Sequence, residues 1–368
     1  MQVPFVNLGA QFQAVESELV AEFVRLGRSG QFILGEEVEK FERQLAQYCD
    51  TRYAVTVANG TDALILVMKA LNIGPGDEVI TVPNSFIASA GAISVVGAKP
   101  VFVDVGDDYN LDPAKLEAAI TPFTKAVVPV HLTGNPADID AIAKVIGERD
   151  IVIIEDAAQA IGATYRGKKV GSLGLAGGFS LHPLKNLSLL GDAGFISTDD
   201  ESLYLALKQL RNHGLENRDH SIQWSVNSRL DTIQAAFGNV KLAHLPEWTE
   251  RFRAIAARYT EKLAPLVSCP KVRTEDAAVF HNYVIRVPER DALMAYLKEQ
   301  GVDTKIHYPI PLHLMEAARP LGYKRGDFPE TEKQAKEIMS LPIYPELTDN
   351  QVDYVCQKIT AFYQKAGG

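Results

Sequence analysis

The chain lacks several features that would place it in a special structural class. It has 368 residues but only three cysteines, Cys49, Cys269 and Cys356, which lie far apart and match no metal-ligand spacing. This argues against a disulfide framework and predicts reduced thiols in a cytoplasmic protein without a metal site. No run of about 18 apolar residues is present, so no membrane-spanning helix is expected. The N-terminus also lacks the basic and apolar regions of a signal peptide.

Excess positive charge is also absent. The chain has 37 Lys and Arg against 46 Asp and Glu, which gives a net charge of -9. This balance argues against a nucleic-acid partner and against a polybasic membrane surface. Hydrophobic residues make up 46% and charged residues 23%, as in ordinary globular proteins. A chain of this length and composition can bury a large core and form two lobes.

Alternating segments from residue 53 onward predict the fold class. Short β-branched runs at 53–57, 78–82, 100–104, 126–130 and 151–154 alternate with helical patterns at 63–71, 86–96, 113–120 and 139–146. This order predicts an α/β fold with a mostly parallel sheet that helices cover on both faces. Ligands of such sheets bind beyond the carboxyl ends of the strands. Residues that follow those ends are therefore the first candidates for a site.

The two ends of the chain have a sequence pattern that differs from this alternation of strands and helices. Residues 12–48 are predicted to be helical with an interruption at 30–35, and 231–263 to be a long helical stretch that breaks near Pro246. The remainder predicts strands at 282–287 and 303–308 and helices at 290–300, 331–339 and 351–363. We therefore expect a large α/β lobe over residues 1–240. Residues 241–368 are expected to contribute the long helix and a smaller α+β lobe.

Lys185 and Asp156 are the most informative pair of residues. Asp156 ends the apolar run that begins at Ile151, and Lys185 follows in the segment from Phe179 to Asn186. A lysine amine forms a Schiff base with a carbonyl, and a carboxylate holds a pyridine nitrogen protonated. Together they are what a protein supplies to pyridoxal 5'-phosphate (PLP). A buried carboxylate also needs a cationic partner, although Asp156 could instead cap the helix that follows it.

Two further segments follow predicted strands. Asn59, Gly60 and Thr61 join a strand to a helix, where free N–H groups, a glycine and a hydroxyl would hold a phosphate. A helix cap without a ligand would look the same. Phe86 follows the next strand and could stack on a flat heterocycle, or pack in the core as most aromatic residues do.

Other polar residues are weaker candidates. Gln159 could reach a ring hydroxyl or be a surface amide, Ser180 could add a phosphate contact, and His131 follows a strand end. His182 could act as a base on the substrate side, but a structural histidine fits it better. Asn227 and Arg229 suit an anion or a capping loop. The segment 305–313, with His307 and Tyr308, could receive a diphosphate or be an edge strand closed by prolines.

Taken together, these motifs resemble the DegT/DnrJ/EryC1/StrS sugar aminotransferases, which have the PLP fold type I architecture. The resemblance covers essentially the whole chain. Its most specific segments are 59–64, 155–160, 179–187, 211–214 and 227–236. It implies a homodimer with shared active sites, a cofactor that alternates between PLP and its amino form PMP, and transfer of an amino group from L-glutamate to a nucleotide-linked ketosugar.

The resemblance also implies a role for each matching position. Lys185 would be the Schiff-base lysine, Asp156 the partner of the pyridine nitrogen and Gln159 the contact to the ring oxygen. Phe86 would stack on the ring. The phosphate ligands would be Gly60, Thr61 and Ser180, and the partner subunit's site would receive Asn227. Independently of the resemblance, we expect the substrate contacts to be His131, Arg229, His307 and Tyr308.

Some positions depart from the family pattern or bear on its branches. Leu181 and Leu184 replace an aromatic and a small or hydroxyl residue, which affects expectations about the substrate but not the cofactor. Lys185 argues against the branch that carries histidine there and dehydrates sugars. The segment 190–194 is similar to members that aminate C3 of a ketosugar, so a 3-keto substrate is favoured over a 4-keto one. An aminocyclitol aminotransferase and a PLP-bound regulatory protein remain the alternatives.

Overall fold

The strands of the protein occur in the predicted alternating order. The computed structural model describes residues 1–366. Its strands are β1 Tyr53–Val57, β2 Glu78–Thr81, β3 Lys99–Phe102, β4 Thr124–Val127, β5 Val152–Asp156, β6 Thr164–Tyr165, β7 Lys168–Lys169, β8 Ala176–Ser180, β9 Gly194–Thr198, β10 Leu215–Asn217, β11 His220–Ser221, β12 Tyr283–Arg286 and β13 Ile338–Leu341.

Helices connect these strands. They are α1 Leu8–Ser29, α2 Glu36–Tyr48, α3 Gly60–Ala70, α4 Ile87–Val95, α5 Pro113–Leu116, α6 Ile139–Ile146, α7 Glu201–Leu210, α8 Thr232–Leu263, α9 Arg290–Glu299, α10 Pro329–Glu337 and α11 Asp349–Ala366. Short 3-10 turns lie at Glu117–Ala119, Leu132–Gly134, Leu312–Leu314 and Glu316–Leu321. Within residues 1–366, no helix is long and apolar enough to cross a membrane.

The large lobe is built on one seven-stranded sheet. Its strand order is β1-β9-β8-β5-β4-β2-β3, and β9 is antiparallel to both of its neighbours while the other pairs are parallel. The predicted mostly parallel α/β sheet is therefore confirmed. The turns after β1, β2, β5 and β8 meet at one edge of this sheet because those four strands point the same way.

The small lobe has its own core around the β12–β13 pair. Phe252 and Tyr259 of α8, Leu293 of α9 and Val355 of α11 pack together there with Val3 from the N-terminus. Val3 also bridges to Val302. The expected boundary at residue 240 falls inside α8, so this helix belongs to both lobes. The division into two lobes stays a prediction, and α8 is shared between them.

Three local predictions were wrong. Residues 303–308 form no strand and make only a single bridge, from Lys305 to Ser340. Residues 338–341 pair with β12 instead of ending the preceding helix, because all four side chains are buried and the pairing outweighs the helical pattern. Helix α8 runs unbroken through Pro246, because the adjoining turn is held by buried Leu245 and Trp248.

Candidate active site

A cavity of about 390 Å³ lies at the edge of the sheet where the four parallel strands end. Seven of the eight expected cofactor contacts line it: Gly60, Thr61, Phe86, Asp156, Gln159, Ser180 and Lys185. His307 and Tyr308, two of the four expected substrate contacts, line it from the side of the small lobe. The structure thus brings together residues that are separated by up to 248 positions in the chain.

The start of α3 forms a concave backbone surface. Asn59 caps the helix, and its Oδ1 accepts a hydrogen bond from the Asp62 N–H at 2.8 Å. The N–H groups of Gly60 and Thr61 have no carbonyl partner inside the helix, as in any first turn. A Cβ added to Gly60 would lie 2.7 Å from Cβ of Ser180. The glycine therefore lets the start of α3 approach Ser180 closely, and the free N–H groups there suit a phosphate group at the positive end of the helix dipole.

Asp156 ends β5 with a carboxylate that is 5% exposed. Oδ2 accepts a hydrogen bond from Ser89 Oγ at 2.6 Å, and Oδ1 accepts one from the Ala158 N–H at 3.2 Å. Ser89 is in turn 2.8 Å from Ser85 Oγ. Among the described residues no ion pair with Asp156 forms. Dipoles thus orient a buried carboxyl group that forms no ion pair with a described residue, and a protonated ring nitrogen would supply the missing partner.

Lys185 lies in the loop between β8 and β9. Its backbone N–H donates to the carbonyl of His182 at 2.8 Å, which tightens the loop around it. No described residue accepts a hydrogen bond from its Nζ. Burial lowers the pKa of Lys185 to about 8, and the nearby Asp156 carboxylate acts in the opposite direction. The amine is therefore unbound and loses its proton more readily than a solvent-exposed lysine.

Gln159 and Tyr308 connect the two walls of the cavity. Gln159 Oε1 accepts a hydrogen bond from the Thr133 N–H at 2.7 Å, while its Nε2 donates to the Tyr308 hydroxyl at 3.3 Å. Burial raises the pKa of Tyr308 to about 12, which keeps the phenol protonated. The Phe86 ring lies 5.8 Å from the Tyr308 ring, and Phe86 is 51% exposed. One part of the Phe86 ring is therefore not covered by core side chains and can contact a ligand.

Histidines line the wall next to Lys185. Burial, assisted by Lys185 and Lys305, lowers the pKa of His307 to about 4. Burial likewise places the pKa of His281 well below its usual range. Both rings are therefore neutral near pH 7. His281 was missed by sequence reasoning, as were Ser85 and Ser89, because no motif marks them and only the fold brings them to the cavity.

Three expected site residues do not line this cavity. His131 is fully buried, with Nε2 donating to Glu155 Oε2 at 3.0 Å and Nδ1 accepting from the Ala137 N–H at 2.9 Å. Both of its ring nitrogens are occupied, so the prediction of a substrate contact is corrected to a structural role. Arg229 donates to Asn212 Oδ1 at 2.9 Å. Asn227 is exposed on the protomer surface.

Comparisons with known proteins agree with this geometry. The profile of the DegT/DnrJ/EryC1/StrS aminotransferase family matches residues 13–360. The chain belongs to this family. A Geobacillus stearothermophilus relative named pleiotropic regulatory protein is 46% identical over 99% of both chains. Streptomyces venezuelae dTDP-3-amino-3,4,6-trideoxy-alpha-D-glucose transaminase is 42% identical over 94% of this chain and 92% of its own.

A solved structure extends the family assignment to the fold and the cofactor. Bacillus subtilis NtdA with bound PMP has a TM-score of 0.92 and 32% identity, over 99% of this chain and 85% of its own. The protein is thus a PLP-dependent aminotransferase of fold type I. The open backbone pocket at Gly60, the uncompensated carboxylate of Asp156 and the unbound amine of Lys185 fit the phosphate, ring nitrogen and aldehyde of this cofactor.

Proposed function

We propose that the protein transfers the amino group of L-glutamate to C3 of a nucleotide-linked ketosugar, in the cytoplasm and as a homodimer. The observation that carries the transfer is the unbound amine of Lys185, which has a lowered pKa and lies in the same cavity as Asp156. When bound, PLP supplies an electron sink and carries the amino group between the two substrates. The amino-sugar product is suggested by the name of the Streptomyces venezuelae relative.

Each residue of the cavity has a proposed task. Gly60, Thr61 and Ser180 bind the phosphate of the cofactor, and Phe86 and Gln159 orient its ring. Asp156 keeps the ring nitrogen protonated. Lys185 Nζ moves a proton to and from the carbon that gains or loses the amino group, for which an amine with a pKa of about 8 is suited. Neutral His307 and the Tyr308 hydroxyl contact the sugar.

The homodimer is supported by the surface around Asn227. Trp224 is 94% exposed, and Ile222 and Val226 are 49% and 44% exposed. Apolar side chains grouped in this way on the surface mark an interface with another protein chain. We place Asn227 in the active site of the partner subunit, and we place Arg229 beside it as a support that acts through its bond to Asn212.

A substrate screen tests the proposed reaction. The PMP form is mixed with nucleotide-linked 3-keto sugars, 4-keto sugars and cyclic ketones without a nucleotide, and the return of the PLP absorbance is followed. We expect the fastest return with a 3-keto sugar. A faster return with a 4-keto sugar would contradict the proposed position, and a faster return with a cyclic ketone would favour an aminocyclitol substrate.

A regulatory role is the second candidate, because the 46% identical relative is named a regulatory protein. Glutamate distinguishes the two functions. An enzyme converts its bound PLP to PMP when glutamate is added. A protein that binds PLP but leaves it unchanged in the presence of glutamate would favour regulation.

A further inference from the structure

Lys241 is a second buried lysine, and it points at the loop that carries Lys185. It lies on α8 and is 1% exposed. Its Nζ donates hydrogen bonds to the carbonyl of Ser188 at 2.8 Å and to Ser188 Oγ at 3.1 Å. The Ser188 hydroxyl then donates to Gln11 Oε1 of α1 at 3.0 Å. A lysine so completely buried is rare unless its ammonium group is hydrogen-bonded or paired.

The loop between β8 and β9 is held by backbone hydrogen bonds, such as that from the Leu189 N–H to the carbonyl of Leu181 at 2.8 Å, and by side-chain contacts. Ser188 follows Lys185 by three residues. Two turns before Lys241 on α8, Gln234 Oε1 accepts the Leu190 N–H at 3.1 Å. On the opposite side, Asn186 Nδ2 donates to the carbonyl of Val279 at 3.0 Å. Helix α8 therefore holds one side of the loop, and the chain near Val279 holds the other.

The ammonium of Lys241 has little compensation besides these bonds. Burial lowers its pKa to about 8, and only the Glu346 carboxylate acts in the opposite direction. Glu346 comes from the small lobe, and its Oε2 is buried without a hydrogen-bond partner. Burial also acts on Glu346, but there it raises the pKa of the carboxyl group. The hydrogen bonds to Ser188 are therefore the main direct compensation for burying this ammonium group.

We propose that Lys241 is a positioning residue for Lys185: its two hydrogen bonds to Ser188 fix the loop so that the Lys185 amine faces Asp156. Lys241 itself touches neither cofactor nor substrate. A displacement of about 1 Å in a reacting group can cost up to about 100-fold in rate. The loss of Lys241 therefore acts on how fast Lys185 reacts, in protein that remains folded.

The test compares Lys241→Met, Lys241→Arg and Lys262→Met. Lys262 is the matched control, because it lies on the same helix with a side chain that is 39% exposed and pairs with Asp353 at 3.3 Å. The readouts are the rate at which apoprotein becomes covalently linked to added PLP, followed by absorbance, and kcat and KM for glutamate. Circular dichroism far below the unfolding temperature shows that each variant is folded.

For Lys241→Met we expect both the linking rate and kcat to fall roughly 10- to 100-fold, with KM for glutamate changed less than about threefold. Lys241→Arg, which retains the donors, should recover most of the loss, and Lys262→Met should match the parent. A folded Lys241→Met with the parental linking rate and kcat would overturn the proposal. So would a loss confined to KM.

A second variant covers the case in which Lys241→Met does not fold. Lys241→Gln keeps one donor without the charge, and its linking rate should fall at least about threefold because the bond to the Ser188 carbonyl is weakened. A folded Lys241→Gln with the parental linking rate would refute the positioning role. The linking step needs no sugar, so this result is independent of the proposed sugar substrate.

Discussion

Burial lowers the pKa of both Lys185 and Lys241 to about 8, although Lys185 is partly exposed whereas Lys241 is 1% exposed. Their surroundings nevertheless differ. The Nζ of Lys241 donates hydrogen bonds to Ser188, whereas the Nζ of Lys185 has no acceptor among the described residues. The two lysines therefore have the same lowered pKa but different roles. Hydrogen bonds hold the amine of Lys241, whereas the amine of Lys185 is free to react. Unsatisfied hydrogen-bonding capacity, more than the shifted pKa, distinguishes the reactive lysine.

The largest effect is expected for Lys185→Ala. Because this residue is the proposed nucleophile and proton carrier, transamination of glutamate should fall at least about 1000-fold. Thermal unfolding should change little, because no hydrogen bond of Nζ is lost. A single-turnover assay with glutamate measures the first quantity and calorimetry the second. Turnover at the parental rate would show that Lys185 is not the reactive amine.

Asp156→Asn should have the next largest effect. The amide cannot hold the ring nitrogen protonated as a carboxylate does, so the glutamate half-reaction should slow by roughly 100-fold or more. Ser89→Ala is the matched variant, since it removes only the 2.6 Å bond to Asp156 and leaves its charge. We expect it to slow the reaction less than Asp156→Asn. Equal losses in the two variants would mean that orientation of the carboxylate, not its charge, controls the rate.

For stability we expect the opposite order of the two lysine variants, with Lys241→Ala more destabilised than Lys185→Ala. Lys241→Ala leaves the buried carbonyl and hydroxyl of Ser188 without their donor, which costs about 1 to 3 kcal/mol of the free energy of unfolding. Lys185→Ala leaves no acceptor unsatisfied, so its cost should be smaller. Denaturant unfolding of the two apoproteins measures the difference. If Lys185→Ala were the more destabilised variant, the contrast between a bonded and an unbonded amine would fail.

The smallest effect concerns pH. The linking rate of apoprotein with PLP should rise about tenfold per pH unit below pH 8 and level off above it, as Lys185 loses its proton. Asp156 raises the pKa of Lys185, so Asp156→Asn should shift the inflection to lower pH. The check is the linking rate of both proteins between pH 6 and 10. An inflection of the parent protein near 10.5 would show an amine that burial does not perturb.

The two lysines also show which residues can be predicted from the sequence: Lys185 could be, and Lys241 could not. Lys185 and Asp156 were found because Asp156 ends an apolar run and Lys185 lies in a short segment, 179–186, that resembles a family motif, and both are local patterns. Lys241 carries no such signal, since a lysine on a long helix usually lies in solvent. Its burial depends on α1 and on the loop at Ser188, which reach it only in the folded protein.

The misread segments have the same physical origin. His131 follows a strand, as Asp156 ends one, but Glu155 accepts from one of its ring nitrogens and the Ala137 N–H donates to the other. Alternation along neighbouring positions cannot show which face of the sheet each side chain takes. Residues 338–341 form a strand only because β12 is available to pair with them. In each case the deciding partner is distant in sequence.

The bridge between Val3 and Val302 has a consequence for the order of folding. A ribosome makes a chain from its N-terminal end, so Val3 is synthesised well before Val302 and lacks this partner until nearly 300 further residues have been made. The part of the small-lobe core that Val3 covers can therefore be completed only after Val302 has been made. Contacts of such long sequence separation form late and slowly. The Val3–Val302 contact is thus one that cannot form early in synthesis.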